Sequence, residues 1–263
     1  MSGSNRQIFT YIGIILLINK GGRMAKGFTF KQFHVDDGGC GMAVSTDGVL
    51  LGAWATLPKQ GKLIDIGTGS GLLALMMAQR TAPAPCSIIA IELDDSAADA
   101  AAKNFSNSPW SSSLHCVKQD IQQWNRTQPK NNIGNIICNP PYFNFGLQAD
   151  SQTRATARHT DTLTHDALLQ SITHLLAPEG IVSLILPEYE GRQLIQAAEK
   201  YGLQCQRLCE VKSTEKKPVS RLLIELTSST VKSAPQKEAL CIHDSGQYSA
   251  QFIALTRDFY LKL

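Results

Sequence analysis

The tetrapeptide Asn139-Pro140-Pro141-Tyr142 sets an amide, two prolines and an aromatic ring in fixed order. It follows the apolar run Ile133–Cys138, which reads as a buried strand. A hydrogen-bonding group beside a stiff backbone and a flat ring can hold a planar amino group by its edge and its face. That is the grip needed to modify an exocyclic nitrogen. The same residues also suit a plain turn whose aromatic ring covers the end of a sheet. What lies upstream decides how much the tetrapeptide means.

Upstream, Asp65-Ile66-Gly67-Thr68-Gly69-Ser70-Gly71 marks a strand-to-helix junction. Glycines there let the backbone turn tightly and approach a ligand. Dinucleotide folds use a related turn to seat a pyrophosphate at a helix N-terminus. Here an acid precedes Gly67, Gly69 and Gly71. An anionic side chain is poorly placed for a pyrophosphate and suits an ammonium or sulfonium centre. Glu92 ends the next strand, where an acid can accept both ribose hydroxyls of an adenosine; it also reads as a solvated strand-end carboxylate. Asp120 follows the third strand and can accept from an adenine amino group, or simply cap a helix. Asp65, Glu92, Asp120 and Asn139 all fall at C-terminal ends of strands, where open α/β sheets bind ligands.

The elements that position these residues alternate along the chain. Strands are expected at Lys62–Ile66, Ser87–Leu93, Leu114–Lys118, Ile133–Cys138 and Ile181–Leu186. Helices are expected at Leu72–Arg80, Ser96–Phe105, Thr164–Leu176 and Glu190–Lys200. This alternation implies right-handed crossovers and a mainly parallel sheet covered on both faces. After Gly202 the pattern changes. Leu203–Val211 and Val219–Leu226 read as strands joined by a polar loop, a hairpin-type ending that makes the last strand antiparallel. A further strand-like piece, Ala239–Ile242, follows a polar linker.

At 263 residues the chain is long enough for one domain with a sizeable core. Hydrophobic content of 43%, charged content of 18% and a net charge of +3 permit a nucleic-acid partner without demanding one. The seven cysteines sit mostly in apolar contexts and read as reduced core residues of a cytoplasmic protein. Cys205 and Cys209 have no second pair at zinc-ligand spacing, so no metal is expected. His34, His115, His165, His174 and His243 show no ligand spacing, and Trp54, Trp110 and Trp124 read as packing residues. Ile8–Ile18 is an apolar run of eleven residues, short for a bilayer span. It lacks a small-x-small cleavage site, and Met24 opens a segment that reads like a normal start. Residues 1–23 are therefore expected to be a non-native or mis-called extension rather than a membrane anchor. Residues 24–263 are expected to form a single domain, with 24–56 an N-terminal embellishment and 57–263 the core, hairpin and tail.

Asp65 to Gly71, Glu92, Asp120 and Asn139 to Tyr142 resemble the motifs of class I S-adenosylmethionine-dependent methyltransferases. The Asn-Pro-Pro-Tyr form is similar to those acting on adenine, guanine or glutamine nitrogen. Three flanking stretches resemble the bacterial tRNA1(Val) adenine-37 N6-methyltransferase family: Phe30-Lys31-Gln32-Phe33, Thr46 through Trp54, and Leu255 through Tyr260. The likeness runs from about Lys26 to the end. Cys40-Gly41-Met42-Ala43-Val44 departs from it, with small apolar residues where that family carries a lysine.

The resemblance implies a Rossmann-like α/β fold, with a seven-stranded, mainly parallel sheet and the last strand antiparallel. It implies S-adenosyl-L-methionine held by Asp65, Gly67, Gly69, Gly71, Glu92, Asp120 and Asn139. It implies methyl transfer to the N6 amino group of adenine 37 in tRNA, with Asn139, Pro140 and Tyr142 at the reacting nitrogen. RNA contacts are expected from Arg154, Arg158 and His159, and from Lys212, Lys216, Lys217 and Arg221; each cluster also reads as a solvated face. A monomer without metal or membrane attachment is expected. Rival readings are a protein glutamine N5-methyltransferase, an rRNA guanine N2-methyltransferase, and a non-catalytic RNA-binding module that keeps the fold.

Overall fold

The computed structural model describes residues 14–16, 26–58, 61–140, 163–228 and 233–263. Pro141, Tyr142, Arg154, Arg158 and His159 lie outside the described residues.

Seven strands form the heart of the sheet: β4 (Lys62–Ile66), β5 (Ser87–Glu92), β6 (Leu114–Lys118), β7 (Ile133–Cys138), β8 (Leu176–Pro187), β9 (Leu203–Thr214) and β10 (Val219–Ser228). The first five run parallel to one another, and β10 runs antiparallel to both β8 and β9, as the polar loop between the last two predicts. The sheet exceeds the expected seven strands. β11 (Gln236–Asp244) and β12 (Gln247–Tyr248) extend it to nine, in the order β12-β11-β9-β10-β8-β7-β4-β5-β6. The strand-like piece at Ala239–Ile242 pairs in parallel along β9 and covers what would otherwise be an open edge.

Two apolar layers sandwich this sheet. Alternation along β4 sends Leu63 to one face and Ile64 and Ile66 to the other. The first face carries the helices α1 (Thr46–Trp54) and α2 (Leu72–Thr81). The second carries the helices His165–Leu175 and Glu188–Ala198. The helix α1 is buried from Gly48 to Trp54, because Val-Leu-Leu-Gly-Ala-Trp is apolar all round. Ser45 caps it, its Oγ accepting from Gly48 N–H.

The segment expected as an N-terminal embellishment holds β2 (Lys26–Thr29) and β3 (His34–Asp36), and β1 (Ile14–Leu16), from the stretch expected as an extension, pairs with β2 to complete a small antiparallel sheet. The C-terminal end clasps it. Phe30 bridges Tyr260, and Lys31 N–H donates to Phe259 O at 2.8 Å. The rings of Phe28, Phe30, Phe33, Tyr260 and Phe252 form one packed aromatic group. Among the described residues no helix is long and apolar enough to cross a membrane.

Candidate active site

The strand β4 turns into α2 through three glycines with positive φ, at 69° for Gly67, 57° for Gly69 and 90° for Gly71. That backbone region disfavours L side chains. Space adds a second constraint at two of them. A Cβ on Gly71 would lie 2.5 Å from the Phe105 ring, and one on Gly69 would lie 3.0 Å from Met42 Sδ. Nothing lies within 4 Å of a Cβ placed on Gly67, so that bend faces open space.

Asp65 is wholly buried beneath this turn. Its Oδ2 accepts from the Thr68 hydroxyl and from Ala74 N–H in the first turn of α2, at 3.2 Å. The carboxylate thereby caps a helix whose own N-cap is a glycine. Its Oδ1 is buried and has no donor among the described residues. Burial pushes the Asp65 carboxyl up to about 7; the two hydrogen bonds oppose that shift, and the Glu92 charge adds to it slightly. A buried carboxylate with an empty acceptor position fits a cationic donor such as an ammonium.

Glu92, at the end of β5, is not a solvated carboxylate. Its Oε2 accepts from Gly69 N–H at 2.8 Å, and its Oε1 accepts from Leu93 N–H and Asp94 N–H at 2.8 and 2.9 Å. It pins the glycine turn to the neighbouring strand. Three of its roughly four acceptor positions are thus occupied, which leaves room for one hydroxyl rather than two. Asp120 caps α4 (Ile121–Asn125), its Oδ1 accepting from Gln123 N–H at 3.0 Å. The capping role foreseen for it is therefore real.

Asn139 leaves the end of β7, the strand paired in parallel with β4. Asn135 and Ile137 face the α1–α2 side of the sheet, and Asn139 is next in that alternation, on the side of Asp65. The Asn139 Oδ1 is buried and without a donor among the described residues. Pro140, beside it, is buried. The structure therefore brings Asp65, the three glycines, Glu92, Asp120, Asn139 and Pro140 to one edge of the sheet.

One residue of this cleft escapes a reading of the sequence. Asn104 is 3% exposed in α3 (Asp95–Ser106). Its Nδ2 donates to Ser70 O and to Asp36 O, both at 2.8 Å, and its Oδ1 accepts from Asp36 N–H at 3.1 Å. It ties the glycine turn to the N-terminal sheet, and Ser70 Oγ adds a bond to Met42 O. The available signal was a lone amide on the buried, alanine-rich face of a helix. Two apolar side chains border the cleft with 44% exposure each, Met42 over Gly69 and Leu93 just past Glu92.

The basic residues of the terminal hairpin are not equivalent. Arg221 Nε pairs with Asp47 Oδ2 at 2.7 Å, so its charge serves the start of α1. Lys212 faces Glu215 at 3.8 Å. Lys216 and Lys217 are exposed in the turn. Because Arg221 is level with Pro187 at the end of β8, this turn stands on the same sheet edge as Asn139. The tryptophans pack: Trp54 lies under the Arg207 guanidinium at 4.0 Å, Trp124 is buried, and Trp110 meets Phe33 edge-on. A separate cavity of about 470 Å³, lined by Lys31, Gln79, Arg80 and Asp258 among others, lies at the far end of α2. It shares no residue with the cleft, whose chemistry rather than volume identifies it.

Residues 46–186 match the family described as methyltransferase small domain. The chain is 52% identical over 238 residues to the tRNA1(Val) (adenine(37)-N6)-methyltransferase of Vibrio vulnificus strain YJ016, covering 90% of this chain and 97% of that protein. It is 48% identical over 240 residues to the protein of the same name from Aliivibrio salmonicida strain LFI1238, covering 91% and 100%. Among solved structures, a predicted O-methyltransferase from Agrobacterium tumefaciens superposes with a TM-score of 0.63 at 16% identity, over 81% of this chain and 96% of that one. That last likeness concerns the fold.

Proposed function

The chain belongs to the tRNA1(Val) (adenine(37)-N6)-methyltransferase family, and from that premise we propose that it methylates the N6 amino group of adenine 37 in tRNA1(Val), using S-adenosyl-L-methionine. The observation that carries this reading onto the site is a pair of buried acceptors without a donor among the described residues, Asp65 Oδ1 and Asn139 Oδ1, at the ends of adjacent strands. One suits the ammonium of the cofactor's methionine part, the other the amino group of a base.

When bound, the cofactor supplies an electrophilic sulfonium methyl, so the protein's work is mainly to orient and to exclude water. Asp65 would take the ammonium. Gly67 and Gly69 would let the backbone approach the cofactor closely, and Gly71 holds the turn against α3. Glu92 would accept a ribose hydroxyl through its remaining acceptor position, and Asp120 the adenine amino group of the cofactor. Asn139 Oδ1 and the Pro140 carbonyl would each accept an N–H of the target amino group. That aims the nitrogen lone pair at the methyl. Tyr142 would stack on the base. The amino proton becomes acidic once nitrogen is methylated and leaves to water, so no general base is required. The target base must be unstacked to enter, which a loop allows most easily.

Lys212, Lys216 and Lys217 in the hairpin, with Arg154, Arg158 and His159, would meet RNA phosphates, and Arg221 would hold the hairpin in place through Asp47. We place the protein in the cytoplasm, with its tRNA substrate, acting as a monomer. The test is transfer of tritiated methyl into an extract of cells lacking the protein, which holds both RNA and protein, followed by nucleoside analysis of the RNA. Labelled N6-methyladenosine in tRNA is the expected product. Label confined to protein would replace this reading with glutamine N5-methylation.

A further inference from the structure

Among the described residues Tyr189 is the most exposed large apolar side chain, at 60%. The ring offers a broad amphipathic face to solvent. Its position on the fold is informative. The strand β8 ends at Pro187, and Tyr189 stands in the first turn of the helix Glu188–Ala198 that leaves it. Cys138 of β7 is level with Leu184 of β8, so Asn139 and Tyr189 rise from neighbouring strands at the same sheet edge.

The helix that carries the ring is firmly held. Gly191 packs so closely on β10 that a Cβ would come within 3.0 Å of Leu222 Cδ1. Arg192 joins Glu188, in the same turn as Tyr189, to Glu210 of β9 at 2.9 Å. The ring is thus presented outward on a rigid element.

Two exposed lysines stand on this edge. The level pairing of Arg221 with Pro187 sets the hairpin turn, with exposed Lys216 and Lys217, next to the start of that helix. The nearby carboxylates are largely engaged: Glu188 by Arg192, and Glu215 by Lys212. Glu190 faces His165, whose pKa is lowered by burial and partly restored by that carboxylate.

We propose that Tyr189 is a stacking platform for an unpaired nucleobase beside the target adenine, with Lys216 and Lys217 on the adjoining phosphates. An exposed ring next to a basic turn is the arrangement that binds single-stranded nucleic acid, where stacking tolerates any base. The proposal rests on the tRNA substrate assigned above.

The test uses the full chain and tRNA1(Val) carrying 2-aminopurine on one or other side of adenine 37. Stacking on Tyr189 should quench the fluorescence of one of these RNAs on binding. The Tyr189→Phe variant should quench equally and keep its KM for tRNA. The Tyr189→Ala variant should lose the quench and raise that KM roughly tenfold, with kcat and cofactor affinity unchanged. Because the ring is exposed, its removal should leave the melting temperature unmoved. Methyl transfer by Tyr189→Ala with normal quenching and KM overturns the platform and leaves the function intact. Quenching by the wild-type chain without methyl transfer leaves the platform standing and counts against the function.

Discussion

Asp65 and Asn139 end neighbouring parallel strands on one side of the sheet, and each keeps one side-chain oxygen buried with no donor among the described residues. Leaving a buried acceptor unpaired costs roughly 1–3 kcal/mol. Two such costs a strand apart mark a cleft shaped for groups that arrive with their own N–H donors.

Replacing Asn139 by alanine should remove the acceptor that aims the substrate nitrogen. We expect kcat to fall on the order of a hundredfold or more, as lost orientation does, while cofactor affinity changes little. Single-turnover methylation and calorimetric titration of the cofactor measure the two effects separately. Near-normal turnover would remove Asn139 from the reaction.

Asp65 makes stability and cofactor binding pH-dependent. Its carboxyl rises from an ordinary value of 3.8 to about 7 in the fold. Between those values the folded chain keeps a proton that the unfolded chain has lost. This group's contribution is therefore full below pH 4, declines as pH rises towards 7, and is flat above it. The Asp65→Asn variant should lose that slope, as urea midpoints at acid and neutral pH would reveal. An ammonium placed on Oδ1 should pull the pKa back down. Cofactor binding near pH 6 should then release a proton, seen as a dependence of the binding heat on buffer ionisation. Identical slopes in the two proteins would contradict this assignment.

Asn104→Ala should act at a distance from the reacting atoms. It strands the carbonyls of Ser70 and Asp36 and the Asp36 N–H. A loss of about 2–3 kcal/mol is expected, read from denaturant midpoints. Cofactor KM should rise more than kcat falls, because the glycine turn loses its support and Asn139 does not. The opposite split would place Asn104 on the substrate side.

The hairpin cations should separate by experiment. Lys216→Ala with Lys217→Ala should weaken tRNA binding and lower the salt slope by about 1.5, with folding stability unchanged. Arg221→Ala should instead lower stability, because it breaks the partly buried pair with Asp47. A salt slope unchanged in the double variant would remove these lysines from the RNA interface.

Much of this architecture was legible in the chain itself. The strands Lys62–Ile66, Leu114–Lys118 and Ile133–Cys138 lie where their apolar runs predict them, and Asp65, Glu92, Asp120 and Asn139 stand at strand ends as alternation requires. Such features are local: periodicity and glycine spacing determine which face and which turn a residue occupies. The helix Thr46–Trp54 was not legible, because a segment buried on every side has no polar stripe to show its period. Nor were the partners. Arg221 reads as a free cation until folding sets it against Asp47, 174 residues away, and Asn104 reads as a helix residue until it meets Asp36, 68 residues away. The sequence by itself determined the strand–helix order, the bend at the glycines and the chemical types at the cleft. Only the tertiary structure decided which acceptors were left empty and which charges were already neutralised, because those outcomes depend on neighbours that packing, rather than chain order, brings within hydrogen-bonding distance.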